Sequence, residues 1–240
     1  MCGRYVLKRK DLEALLQHFG IRSLEEFHSR YNIAPTTIVP AIRTSAEGGR
    51  EAVPLRWGLV PSWAKDPAGG ARLCNARAEG IAAKPAFRHA FRKKRCLVPA
   101  SGFYEWQTLG RTKLPWYFSR RDEQPFVFAG LWESWRSPAG TELETCSLIT
   151  TDANPVVGQI HDRMPVILAG SGVEEWINPE HEEPEKLLPL LRPFPAEEMS
   201  GRPVNPQVNS VATEGPECLE PAPVLPAPGS EGPQLSLGFE

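Results

Sequence analysis

Apolar residues recur at helical spacing near the start of the chain. Four of them lie three and four positions apart, namely Leu12, Leu15, Leu16 and Phe19. Gly20 follows them and is a common helix terminator, so the pattern predicts a helix over residues 11–19 with its apolar face on the core. Further helices are predicted over residues 85–94, 153–159, 172–177 and 183–191.

Short apolar runs, separated by Gly, Pro and Asp, predict strands along much of the remaining chain. The predicted strands cover residues 3–7, 39–42, 53–59, 95–98, 103–107, 116–119, 126–129 and 147–150. The run Glu47-Gly48-Gly49 predicts a turn between the second and third of these strands. The gaps have hairpin length, and the helix–strand alternation of a doubly wound fold is missing. We therefore predict an α+β fold with a largely antiparallel sheet or open barrel core and peripheral helices.

The composition changes near residue 219, where a proline-rich segment begins. Such a segment cannot build a hydrophobic core and is typical of a stiff, disordered tail. No linker-like stretch interrupts the chain before that point. We therefore predict one domain over residues 1–219 and a tail over residues 220–240.

The chain contains no run of about 18 apolar residues, which a membrane-spanning helix requires. Its start, Met-Cys-Gly-Arg-Tyr, leads into a polar helical pattern and lacks the apolar stretch of a secretory signal. We therefore expect a cytoplasmic protein, associated with the nucleoid if its source is bacterial. We also expect a monomer without a membrane partner.

The net charge of −2 hides a strong asymmetry between the two halves of the chain. Residues 1–121 contain 22 Lys and Arg and 9 Asp and Glu, a net charge of +13. Residues 122–240 contain 5 and 20, a net charge of −15. This division indicates a polyanion-binding surface in the first half, although solvated charge without a partner remains the alternative. Trp57, Trp63 and Trp106 lie in or beside the basic half, where an indole could stack on an unpaired base.

Cys2 is the cysteine whose position suggests chemistry. After removal of Met1 it would present an α-amine and a thiol two carbons apart. An aldehyde can condense with the amine to an imine, and the thiol can then close a five-membered thiazolidine ring. The α-amine, with a pKa of about 7.7–8.0, is substantially neutral near pH 7, whereas a lysine at about 10.4 is not. That this cysteine merely follows the start codon is an alternative that the residue alone leaves open.

Asn75, Arg77 and Glu79 alternate with alanines. In a strand, these three residues would share one face and place an amide, a cation and a carboxylate in a row. The same alternation fits a strand face that is simply solvated. The motif alone does not decide between these two interpretations.

Glu105 lies among the aromatic residues of the segment 102–106 (GFYEW). Aromatic surroundings desolvate a carboxylate and raise its pKa toward the range that is useful for proton transfer. A structural ion pair with a buried arginine is the alternative. The sequence therefore makes Glu105 a candidate acid–base residue.

His161 and Asp162 directly precede a strand-like stretch at residues 166–168. A histidine beside an aspartate is a good candidate for acid–base chemistry. The pair could also belong to a metal site, but none of the other four histidines has ligand spacing with it. The five cysteines form no CxxC pair, which argues against a thiolate metal site and a disulfide framework. We therefore expect no metal and no other cofactor.

Together these segments resemble the SRAP (SOS response-associated peptidase) proteins over roughly residues 2–219. The matching blocks are residues 2–5 (CGRY), 30–36 (RYNIAPT), 56–63 (RWGLVPSW), 75–79 (NARAE), 96–99 (CLVP), 102–106 (GFYEW) and 161–165 (HDRMP). Their number and order make the set far more specific than any one motif. The chain departs from the usual family pattern at Gly80, Ser101 and Thr213-Glu214, which leaves the contribution of the C-terminal loop open.

The resemblance implies a DNA-damage response protein that crosslinks to abasic sites in single-stranded DNA. It implies removal of Met1 by a peptidase activity that is autocatalytic or external, with lyase-like activity as a further expectation. Its implied catalytic residues are Cys2, which forms the thiazolidine, Asn75, which orients the amine or the sugar, Glu105 as general base and His161 as proton shuttle. Its implied DNA contacts are Arg4, Arg77 and Arg163 for phosphates and Trp63 for stacking.

Two other functions compete with this interpretation. An N-terminal-nucleophile cysteine hydrolase such as a glutamine amidotransferase also begins Cys-Gly in its mature form, and its free amine activates its own thiol. That function would leave Glu105, His161 and the basic half without a role. A non-catalytic single-strand binder explains the charge but gives no role to Cys2, Glu105 and His161.

The end of the chain carries a separate motif that does not come from the family resemblance. Its residues are Gln234, Leu235, Leu237 and Phe239. The pattern resembles short peptides by which bacterial replication and repair proteins dock on the sliding clamp. Chance occurrence of a few apolar residues is the alternative. On the first interpretation, a sliding clamp is a second partner beside abasic single-stranded DNA.

Overall fold

The computed structural model describes residues 2–22 and 27–223. Its strands are β1 (Tyr5–Leu7), β2 (Arg30–Ile33), β3 (Ile38–Thr44), β4 (Arg50–Trp57), β5 (Asn75–Arg77), β6 (Arg95–Ala100), β7 (Gly102–Leu109), β8 (Thr112–Arg120), β9 (Phe126–Arg136), β10 (Glu142–Asp152), β11 (Arg163–Pro165), β12 (Ile167–Leu168) and β13 (Met199–Pro203). Its α-helices are α1 (Arg9–His18), α2 (Arg88–Lys93), α3 (Ser171–Ile177) and α4 (Pro184–Leu187). Within these described ranges, no helix is long and apolar enough to cross a membrane.

Five strands form a closed barrel. β3 pairs with β4 and β6, β6 pairs with β9, and β9 pairs with β10. β10 closes the ring on β4, and this pairing is parallel whereas the others are antiparallel. The predicted α+β class is therefore confirmed, and the barrel is closed. Closure pairs the strand edges that an open sheet would leave exposed.

The second sheet has the order β13-β8-β7-β1-β2 and is antiparallel throughout. Aromatic side chains join it to the barrel. Phe128 of the barrel packs edge-on against Tyr5 and Phe103 of the second sheet, at centroid separations of 5.7 and 6.3 Å. Full burial of such a ring stabilises the fold by roughly 2–3 kcal/mol relative to exposure. This contact fixes β1, and with it the start of the chain, against the barrel.

The structure corrects three of the predicted elements. The helix predicted over residues 153–159 is only a short 3-10 turn, Val157–Gln159; the Asn154 side chain caps its start by accepting hydrogen bonds from the amides of Val156 and Val157. The helix predicted over 183–191 ends early as α4 and continues as a 3-10 turn at Leu188–Leu190, which contains a proline. The strand face considered for Asn75, Arg77 and Glu79 is also shortened, because β5 ends at Arg77 and Glu79 lies beyond it.

The proline-rich tail is described only as far as residue 223. The predicted clamp-binding residues lie outside the described residues, namely Gln234, Leu235, Leu237 and Phe239. Docking of this motif on a sliding clamp stays a prediction.

Arg95 is a buried arginine at the start of β6 that joins two helix ends. Its guanidinium donates hydrogen bonds to four backbone carbonyls, those of Phe91, Arg92, Trp176 and Asn178. Burial lowers the pKa of Arg95 to about 10, so the side chain remains charged at neutral pH. Because cations near helix C-termini also interact favourably with the helix dipole, Arg95 ties the ends of α2 and α3 to the barrel.

Replacing Arg95 with methionine is expected to destabilise the fold by about 3 kcal/mol or more, since it leaves several carbonyl groups buried without a donor. Chemical denaturation measures the change in the free energy of unfolding. The matched control is Arg88→Met, because Arg88 is exposed on the same α2 helix. Equal free energies of unfolding for the two variants would contradict the role of Arg95 in linking α2 and α3 to the barrel.

Candidate active site

Cys2 lies three residues before the start of β1 and is fully buried. The Asn75 side chain, at the start of β5, donates a hydrogen bond of 2.7 Å from Nδ2 to the Cys2 carbonyl oxygen. Nδ2 also lies 3.6 Å from the sulfur of Cys74. Within the described chain, the buried Oδ1 atom of Asn75 accepts no hydrogen bond. The structure thus brings Cys2 and Asn75 together and leaves the Oδ1 atom of Asn75 beside Cys2 as a hydrogen-bond acceptor.

Glu105 reaches the same place from β7. In the β1–β7 pairing, Tyr5 lies opposite Phe103 and Val6 opposite Gly102, and continuing that register places Glu105 opposite Gly3. The carboxyl group is almost fully buried, and this burial raises its pKa to about 7, while the positive charge at the amino terminus opposes the rise. The rise is the one predicted from its aromatic neighbours.

The Cys2 thiol is held in its neutral form. Burial raises the pKa of this thiol well above its ordinary range, and the nearby Glu105 carboxylate raises it further. The positive charge at the amino terminus acts in the opposite direction. Since the thiolate is the nucleophilic form of cysteine, a reaction at this sulfur requires a group that takes its proton.

His161 precedes β11, and its ring is fixed by the backbone. The amide of Arg163 donates a hydrogen bond of 3.0 Å to Nδ1 of His161, which holds the ring in place. Partial burial lowers the pKa of His161, and the charge at the amino terminus lowers it further. Asp162 lies 2.9 Å from the same Nδ1 and acts in the opposite direction, but it is the weaker influence because its carboxylate is largely exposed.

Cys2, Glu105 and the His161 segment are electrostatic neighbours. The Glu105 carboxylate raises the pKa of the Cys2 thiol, which lies at the start of the chain. Asp162, next to His161, raises the pKa of Glu105, so the His161 segment lies close enough to β7 to act on this carboxyl group. The barrel and the second sheet therefore converge on the start of the chain with a thiol, a carboxyl group and an imidazole.

Arg163 lies beneath this cluster and is buried to 8% exposure. Its guanidinium donates two hydrogen bonds to Glu79, at 2.9 and 2.8 Å, and one of 2.8 Å to Asp152. Another bond of 2.7 Å goes to the Thr150 carbonyl. The side chain to which the family resemblance assigned a phosphate contact is thus engaged by two carboxylates, and the amide of Arg163 holds His161. Arg77, in contrast, is exposed and forms no ion pair with the described residues.

Arg4 ties the site to the C-terminal loop. It donates hydrogen bonds to Oδ1 of Asn32 at 2.7 Å and to the Val208 carbonyl at 2.9 Å. Asn32 is buried, and its Nδ2 donates to the carbonyls of Val208, Ser210 and Thr213. The role of Asn32 was not predicted from the sequence, although Asn32 lies within the RYNIAPT block that carried the family resemblance.

A concave pocket opens beside Cys2. It has a volume of about 370 Å³ and is lined by Gly3, Arg4, Trp106, Lys113 and Asn209. Nε1 of Trp106 donates a hydrogen bond of 2.7 Å to Oδ1 of Asn209, and the Arg4 guanidinium lies 5.7 Å from the indole centroid. The pocket combines cations with an aromatic wall. Lys113 and Asn209 were not predicted, because only the β7–β8 hairpin and the C-terminal loop bring them to Trp106.

Comparison with known proteins then identifies the family. The model of the SOS response associated peptidase (SRAP) family matches residues 1–211. The chain belongs to the SRAP family. The Bacillus subtilis abasic site processing protein YoqW is 41% identical over 224 residues, which cover 92% of this chain and 99% of that protein. The Gallus gallus abasic site processing protein HMCES is 34% identical over 81% of this chain and 67% of its own.

Solved structures agree with the fold of this SRAP chain. A crystal structure of a Bacteroides thetaiotaomicron protein has a TM-score of 0.82 and 30% identity, covering 92% of this chain and all of the other. A Bordetella bronchiseptica protein has a TM-score of 0.74 and 26% identity, covering 85% of this chain and all of the other.

The tryptophans of the SRAP chain divide between core and surface. Trp57 is only 1% exposed, and its Nε1 donates to the Cys74 carbonyl, so it is a core residue and cannot stack on a base. Trp63, six residues later, is 68% exposed. Trp106 is partly exposed at the pocket. Of the three indoles considered from sequence, the last two are thus accessible.

Proposed function

We propose that this SRAP protein bonds covalently, through Cys2, to abasic sites in single-stranded DNA after Met1 has been removed. The observation that carries the proposal is the convergence of Cys2, Asn75, Glu105 and His161 at the start of the chain. Relatives named abasic site processing proteins support the same conclusion. The family name supports a peptidase activity, and we propose that it acts on the bond after Met1 and depends on Cys2.

The proposed reaction begins when the free amine of Cys2 attacks the C1 aldehyde of the ring-opened sugar. Loss of one water gives an imine. The Cys2 sulfur then bonds to the imine carbon, and the thiol proton ends on the nitrogen, which completes the thiazolidine. Ring closure is intramolecular, so its entropic cost is small. The imine also gives access to lyase-like strand cleavage by β-elimination.

Glu105 is the proposed proton acceptor for the thiol. With a pKa of about 7, its carboxylate is available near neutral pH and is still basic enough to take a proton. As an anion it also stabilises the iminium that precedes ring closure. The buried Oδ1 of Asn75 is a suitable acceptor for the Cys2 amine or for a sugar hydroxyl. His161 is the proposed proton shuttle: as the imidazolium it donates a proton to the sugar ring oxygen during opening, and as the neutral ring it takes a proton back.

The basic and aromatic surface around the site is the proposed path of the strand. Exposed Arg77 and the pocket residues Arg4 and Lys113 would contact phosphates, and such contacts position a strand without reading its sequence. Trp106 and Trp63 would stack on bases that flank the abasic site. For Arg163 we propose an indirect role. Its guanidinium is fixed by ion pairs with Glu79 and Asp152, and its backbone amide holds the ring of His161.

Incubation of the mature protein with different substrates tests this function. A denaturation-resistant adduct is expected with abasic single strands and not with intact single strands, and glutamine should not be hydrolysed.

Adduct formation should slow as salt rises, because phosphate binding releases counterions. Arg77→Ala should slow it on every sequence, whereas the control Arg192→Ala, at an exposed site in the acidic half, should not. If a fully paired abasic duplex reacts as fast as a single strand at matched salt, the single-strand groove is wrong.

A further inference from the structure

Trp63 is an exposed indole on a firmly anchored turn. The turn is closed by a hydrogen bond of 2.9 Å from the Ala64 amide to the Pro61 carbonyl. An indole that is 68% exposed gains little from burial within its own chain. Its orientation therefore depends on how rigidly the backbone on either side is held.

Two buried side chains hold that backbone. On one side of Trp63, the Val60 amide donates a hydrogen bond of 2.9 Å to Oγ1 of Thr145. On the other side, Nε1 of Trp135 donates a bond of 2.7 Å to the Ala64 carbonyl. Because Thr145 lies opposite Glu133 and Leu143 opposite Trp135, both anchors project from the same face of the β9–β10 hairpin.

The base of the loop is also closed by glycines. A Cβ atom built on Gly70 would lie 2.7 Å from the Gly58 carbonyl oxygen, so a side chain at this position would force the two segments apart. Gly58 itself has a φ of +138°, which few other residues adopt. The loop that carries Trp63 is thus fixed at its base and on both sides of the indole.

We propose that Trp135 is a positioning residue that keeps Trp63 ready to stack on a base that flanks the abasic site. This inference rests on the proposed function, and it assigns a role to a buried tryptophan that never touches the DNA. A stacking group that is already ordered does not lose conformational freedom on binding. Removing the Trp135 hydrogen bond should therefore slow adduct formation about three- to tenfold, which is the effect of ordering one side chain at an interface.

The test is a double-mutant cycle on the mature protein. Trp135→Phe keeps an aromatic ring and removes the N–H group, and Trp63→Ala removes the stacking indole. Two rates are measured: adduct formation with an abasic single strand, and thiazolidine formation between Cys2 and glyoxylate, a small aldehyde that does not reach Trp63. We expect Trp135→Phe to slow the DNA reaction in the wild-type background, to have no effect in the Trp63→Ala background, and to leave the glyoxylate rate unchanged.

Other outcomes overturn the inference. The first is a Trp135→Phe variant that reacts with abasic DNA at the wild-type rate. The second is an equal loss of the DNA rate in the wild-type and Trp63→Ala backgrounds. The third is an equal loss of the DNA and glyoxylate rates, because a parallel loss would indicate damage to the fold. If Trp135→Phe does not fold, Thr145→Val removes the hydrogen bond to the Val60 amide on the other side of Trp63. The same effects on the two rates are then expected of Thr145→Val. A wild-type protein that reacts with glyoxylate but not with abasic DNA would instead refute the proposed function.

Discussion

Replacement of Cys2 by alanine is expected to abolish the denaturation-resistant adduct with abasic single-stranded DNA. Alanine keeps the amine, which can still form an imine, but an imine hydrolyses readily because no sulfur closes the ring. Cys2→Ser should give at most a weaker and more labile adduct, since a hydroxyl is a poorer nucleophile than a thiol. Denaturing gel electrophoresis and intact mass measure the loss, which should exceed a hundredfold for alanine, as for removal of a nucleophile.

Two controls separate this chemistry from general damage to the site. Cys74→Ala removes the neighbouring thiol, which lies 3.6 Å from Asn75 Nδ2, and should leave the adduct intact. A protein that retains Met1, verified by intact mass, should fail to crosslink because its Cys2 nitrogen is an amide. Equal crosslinking by the Met1-retaining and mature proteins would refute the thiazolidine.

Glu105→Gln is expected to slow adduct formation by roughly a hundredfold or more, the range typical of a lost general base. In the wild-type protein the rate should rise as pH increases through about 7, because only the ionised carboxyl group accepts the thiol proton. Glutamine has no titrating group, so this rise should disappear. A second rise near the pKa of the α-amine, about 7.7–8.0, should remain. Single-turnover rates between pH 5.5 and 9 measure both rises in the pH–rate profile.

The linked effect on stability distinguishes a catalytic loss from unfolding. Burial raises the Glu105 pKa in the folded state above its ordinary value, so between pH 4.5 and 7 the folded protein binds more protons than the unfolded chain at this group. Its contribution to stability is present at low pH and falls as pH rises through about 7. Glu105→Gln should therefore not destabilise the protein at pH 8. A Glu105→Gln variant that keeps the wild-type pH profile would show that another group takes the proton.

The first helix and the barrel strands of this protein could be predicted from its sequence. The apolar run that ends at Gly20 predicted α1, and the short alternating runs predicted the barrel strands, because side-chain periodicity reflects which face of an element is buried. The family resemblance carried by the motif blocks implied a site that contains Cys2, Asn75, Glu105 and His161, and the structure places Asn75 in contact with Cys2. The aromatic neighbours of Glu105 also predicted the direction of its pKa change, since desolvation here comes from residues adjacent in the chain.

Only the tertiary structure decided how side chains of similar appearance divide between core and surface. Trp57 packs inside the barrel and Trp63 lies on its surface, because the parallel pairing of β4 with β10 closes the barrel at Trp57. Arg163 faces two carboxylates whereas Arg77 faces solvent, since Glu79 and Asp152 are brought together by separate segments. Such contacts join residues that lie far apart in sequence, so no local pattern records them.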